Sequence, residues 1–180
     1  MPQPEVWLRG PVPAFPPLLQ PVAHSLLQCR EELTSSMTGL TPDQVWARPG
    51  GAASIGFHAR HAAGSLDRLL TYARGERLSP GQHAFLAAEG HPDATPGIDV
   101  RLVAAFGKAV EQALEQLRTT NEVTLLEARG VGRHQLPSTV LGLLVHAAEH
   151  TQRHVGQLVT TAKILAGKAA VPVDGSSASG

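Results

Sequence analysis

PSTVLGLLVHAAEHTQRHVGQLVTTAKIL, residues 137 to 165, repeats its apolar positions with a helical period and holds no proline after its first residue. Pro137, Ser138 and Thr139 launch the helix, and Gly167 stands just behind its expected end near Leu165. About 27 residues rising ~1.5 Å each give a rod of roughly 40 Å. Its apolar stripe centres on Leu144, Thr151, Leu158 and Ala162.

Working outward from this rod, three more segments show the same period. Ser54 to Arg74 carries Ile55, Ala59, Ala62, Leu66, Leu69, Leu70 and Ala73 on one stripe and stops at Gly75. Asp99 can cap a third long helix, with Val103, Phe106, Val110, Leu114 and Leu117 facing inward. Leu18 to about Thr38 is the remaining one; Pro21 is tolerable in its first turn and Gly39 supplies the stop. Between them, Thr41-Pro42-Asp43-Gln44 and Ser79-Pro80-Gly81-Gln82 read as capping boxes. The first opens a short helix with Trp46, which Pro49, Gly50 and Gly51 break; the second opens a short apolar segment to about Ala88. Gly90 to Gly97 is a turn-rich connection, and Glu127 to Leu136 makes at most a short strand or hairpin.

Four long helices with almost no strand signal predict an all-α four-helix bundle whose long crossover connections carry short helices. The expected layout is an extended, proline-broken arm over residues 1–17, a bundle over 18–167 and a disordered tail over 168–180. An aromatic content of 4% points to a core of Leu, Val and Ala.

Composition narrows the partners. Fifteen basic and fifteen acidic residues cancel, and no Lys/Arg-rich block supplies the footprint of a nucleic-acid binder. The single Cys29 excludes an internal disulfide framework and a Cys-rich zinc module. Its place near Leu26 and Leu33 suits a small buried hydrophobe. No apolar run of about 18 residues suggests a membrane span, and the start lacks a secretory pattern, so a cytoplasmic protein is expected.

Nine histidines stand out in this neutral chain. His58 and His61 fall on the second long helix, and His146, His150 and His154 on the fourth; His24, His83, His91 and His134 are scattered. Imidazoles four apart on a helix lie on one face, about 6 Å apart, and can share a metal ion with a third from a neighbouring helix. At about 100° per residue, His154 sits some 60° from the centre of the apolar stripe, His150 about 100° and His146 about 140°. The pair His150 and His154 therefore leans into the bundle while His146 leans out. On the second helix His58 lies about 70° from the stripe centre and His61 about 130°, so periodicity alone favours His58.

His146-Ala147-Ala148-Glu149-His150 also matches H-x-x-E-H, the inverted zinc-peptidase signature. That reading needs a downstream carboxylate ligand, and only Asp174, in the tail, follows. Glu149 also lies about 160° from the apolar stripe, where it faces solvent. The match is therefore read as a short pattern met by chance.

SIGFHARHAAGSLDRLLTYARG (54 to 75) and HAAEHTQRHVGQL (146 to 158) resemble the two signature segments of DinB-like proteins, a superfamily of metal-binding four-helix bundles; VWLRGPVP and LTPDQVWARPGG are similar to one branch of it. The resemblance runs from about Val6 to Leu165. It implies one divalent metal ion on three histidines, and often a homodimer. Its helix-two histidine falls on His61, with Asp67 downstream; its i, i+4 pair before Gly-Gln falls on His150 and His154. The family pattern and the periodicity thus differ over His58 and His61, and His61 is taken. His58 and His146 become neighbours of the ligands or substrate-facing groups, and Gln157 a candidate for orienting a ligand.

Three imidazoles leave coordination positions open, as catalytic zinc sites do. Zinc or nickel is expected first, and manganese or iron accept the same donors. Two classes follow: a metal-dependent transferase or hydrolase on a small molecule, such as a thiol, or a non-catalytic metal- or ligand-binding bundle used in stress response.

Overall fold

The computed structural model describes residues 3–170. Its long helices are α1 (Gln20–Met37), α3 (Ile55–Ala73), α5 (Ile98–Thr119) and α6 (Val140–Ala170). Two short helices, α2 (Pro42–Trp46) and α4 (Pro80–Ala88), interrupt the first two connections. Strands β1 (Ala128–Val131) and β2 (Leu136–Thr139) pair antiparallel as a hairpin before α6. The fold is all-α, as the periodicity predicts.

α1 packs against α5 and α6, and α3 packs against the same two helices. The pairs α1/α3 and α5/α6 are therefore diagonal. Two of the three connections between long helices cross the bundle: the one carrying α2 and the one carrying the hairpin. The core is mainly aliphatic, with Leu26, Leu33, Ile55, Leu66, Leu117, Leu144 and Leu158 under 2% exposed around the equally buried ring of Phe106. Among the described residues no helix is long and apolar enough to cross a membrane.

Local chemistry sets the boundaries. Thr41 and Ser79 each close a complete capping box, so α2 and α4 start where the sequence places them. Ser54 caps α3 by accepting from the Phe57 amide. Asp99 does not cap α5. Gly97 takes that position, and the buried Asp99 carboxylate accepts from the Gly39 amide, tying α5 to the end of α1. Pro137 to Thr139 lie in β2, and α6 begins only at Val140. α6 also passes Gly167 and reaches Ala170; the rest of the expected tail, residues 171–180, lies outside the described residues. The N-terminal arm is more than an extended strand: Val6–Arg9 forms a 3-10 turn, and Val6 and Phe15 are buried.

Candidate metal centre

α3 and α6 carry five histidines between them and bring four of these together. His58 Nδ1 lies 3.0 Å from His154 Nδ1, and His61 Nε2 lies 3.0 Å from His150 Nε2. As the number rises on α3 it falls on α6, so the helices run antiparallel and pair their histidines turn for turn. The cluster sits in the first two turns of α3, near one end of that helix.

His61, His150 and His154 each offer a ring nitrogen within 4.8 Å of the others, the one such group among the described residues. Two tetrahedral ligand nitrogens at ~2.1 Å from zinc stand about 3.4 Å apart, against 3.0 Å between His61 and His150 and at most 4.8 Å within the trio. The ring centroid of His154 lies 4.4 Å from that of His61 and 4.6 Å from that of His150.

The electrostatics suit ligand nitrogens. Burial lowers the pKa of His154 to about 4, helped by neighbouring His61 and His150. Burial also holds His150 below its ordinary value, with His61 adding to the effect. These imidazoles are neutral near pH 7, with lone pairs available to a cation.

His58 is buried at 6% exposure, as its position near the apolar stripe predicts. Burial lowers its pKa too, yet it stands outside the converging trio and hydrogen-bonds His154 instead. His146 is half-exposed; its ring is 5.4 Å from that of His150, and its Nδ1 pairs with Glu149. Glu149 also binds Arg153 on the outer face of α6, away from the apolar stripe. Gln157 is exposed and forms no hydrogen bond to the cluster among the described residues. Asp67, the acid that the family pattern places after His61, accepts from Gln82 at the start of α4.

Two neighbours of His61 are not among the candidates drawn from the sequence. Phe57 stacks on its ring at 5.4 Å and 16°. Glu89, just past the end of α4, accepts from His61 Nδ1 at 2.7 Å and from Arg68 at 2.7 Å. Phe57 carries a signal, since it lies four residues before His61 on the same helix. Glu89 carries none: α4 buries no residue, so no periodicity points inward.

These features define a four-helix bundle with a three-histidine cluster able to hold a metal ion, built between antiparallel helices and walled by an aromatic ring. The sequence profile of the DinB superfamily matches residues 25–158, about three quarters of the chain, and the protein belongs to that superfamily. No curated protein matches the chain.

Proposed function

We propose that the protein binds one divalent metal ion through His61, His150 and His154 and uses it to act on a small molecule, with thiol transfer as the reaction class. The observation that carries this reading is the convergence of three ring nitrogens within 4.8 Å, two of them on imidazoles that burial keeps neutral. The donor set fits such an ion: three imidazoles suit zinc or nickel, and also manganese or iron. Once bound, the ion supplies Lewis acidity and stabilises the anionic form of a small ligand such as a thiol.

The chain's own residues hold and shape the site. His58 fixes the orientation of His154 through its Nδ1, and Phe57 covers the face of His61. The two carboxylates touching the cluster's histidines or their neighbours are already engaged, Glu89 by His61 and Arg68, Glu149 by Arg153 and His146. Attack by water wants a free general base, whereas a thiol ionised at a cation does not, and this favours thiol transfer over hydrolysis.

Elemental analysis of the purified protein tests the reading first. We expect one equivalent of metal per chain, lost in His61→Ala, His150→Ala and His154→Ala but kept in His146→Ala. Absence of stoichiometric metal, or full retention in the three ligand variants, would sink the site. Metal without turnover of any thiol acceptor in a substrate panel would leave a binding protein and no transferase.

A further inference from the structure

His61 faces His150 through Nε2, and its second nitrogen is already committed to Glu89. Glu89 is 3% exposed and Arg68 8%. A carboxylate taken this far out of water is costly unless donors fill its lone pairs. Both donors here come from α3, one from a histidine and one from an arginine two turns along. α4 itself sends no side chain into the core. The one fully buried side chain of that segment is thus a charge aimed at a ring of the metal cluster.

The backbone of α3 is cut to receive it. Gly64 lies one turn past His61, and a Cβ at Gly64 would stand 2.6 Å from the Phe85 ring, 2.8 Å from Arg68 Nη1 and closer still to Glu89 Oε1. Glycine disfavours a helix interior, so its use here reflects the close approach of the α4 end. Arg60, next to His61, donates to the carbonyl of Ala88 and holds that end in place.

We propose that Glu89 is a positioning residue for the metal site, and that Gly64 is the clearance that admits it. A carboxylate only accepts, so the contact requires the proton of His61 on Nδ1. Nε2 then presents its lone pair towards His150 and His154. The purpose of this arrangement rests on the metal reading above, while the arrangement itself is testable without metal.

Long-range proton–nitrogen NMR of the full chain, stripped of metal, reads the His61 tautomer directly. We expect Nδ1–H in the wild type and a shift towards Nε2–H in Glu89→Ala. Zinc affinity, measured by competition with a chromophoric chelator, should fall 10- to 100-fold in Glu89→Ala, on the scale of lost outer partners. Gly64→Ala should weaken zinc about ten-fold by displacing the carboxylate without deleting a charge. Where Glu89→Ala does not fold, Glu89→Leu, similar in size but without an acceptor, and Gly64→Ala carry both measurements. A wild-type His61 in the Nε2–H form overturns the proposal, as does wild-type zinc affinity in folded Glu89 variants; either leaves Glu89 as a partner of Arg68 alone. Zinc binding absent from the wild type sinks only the metal reading, and the His61 tautomer then decides the Glu89 assignment by itself.

Discussion

Burial has opposite uses for the thiol and the imidazoles of this chain. Cys29 is fully buried in the core, and desolvation pushes its thiol up to about 12, with Glu32 adding to the rise. The thiolate is the reactive form, so Cys29 should stay silent towards a disulfide reagent in the native protein and react fully once the chain is unfolded. Rapid native labelling would contradict the packing. At the histidines the same desolvation preserves lone pairs instead of suppressing chemistry. Close approach sets a second residue-scale limit at Gly56, where a Cβ would fall 2.8 Å from the Trp46 ring. That indole donates to the Asp93 carbonyl and lies under the Arg60 guanidinium, so it cannot retreat freely. Gly56→Ala should destabilise the fold by about 1–3 kcal/mol through overpacking, seen as a lower urea midpoint. An unchanged midpoint would mean that α2 yields at no cost.

At the scale of elements, what was legible follows from how each element is held. The long helices are fixed by apolar stripes, and those stripes are in the sequence: Phe106, Val110, Leu114 and Leu117 are buried in α5, as Ala59, Ala62, Leu66 and Leu70 are in α3. The capping boxes at Thr41 and Ser79 were equally readable, because their partners lie three residues away. Contacts made at a distance were not. The carboxylate of Asp99 went to Gly39 and that of Glu89 to His61, and neither partner is marked by spacing. Periodicity ranked His58 above His61 because it measures burial, and His58 is the more buried; the converging trio instead takes the ring on the stripe's flank. α4 shows what holding by polar contacts means. With no buried residue, it depends on its cap, the Gln82 contact to Asp67 and Glu89. Ser79→Ala should cost about 1 kcal/mol and speed amide exchange over residues 80–88 while α3 and α6 keep their protection. Uniformly faster exchange across the bundle would show that α4 is not a separate unit.

For the whole molecule, zero formal charge leaves no global field to gather ligands, so the proton balance of the histidine cluster should dominate its response to neutral and mildly acidic conditions. His58, His150 and His154 all have folded-state pKa values lowered chiefly by burial, His154 to about 4. Unfolding restores each towards an ordinary value of about 6.5. Between those limits the unfolded chain binds protons that the folded chain refuses, so stability is greatest above pH ~6.5 and falls as the pH drops towards ~4. Urea titrations of chelator-treated protein should therefore show a midpoint that declines from pH 7 to pH 5, above the range where most carboxylates titrate. The variant with alanine at all three positions should decline less over the same interval. A bound ion adds a second dependence, because its ligands must be unprotonated. At 100 times its Kd it should stabilise the fold by about 2.7 kcal/mol, and this gain should shrink as protons displace it from the same nitrogens. A wild-type midpoint that stays flat from pH 7 to pH 5 without metal would show that these rings are not desolvated in the folded protein, and the basis for their neutrality at the site would go with it.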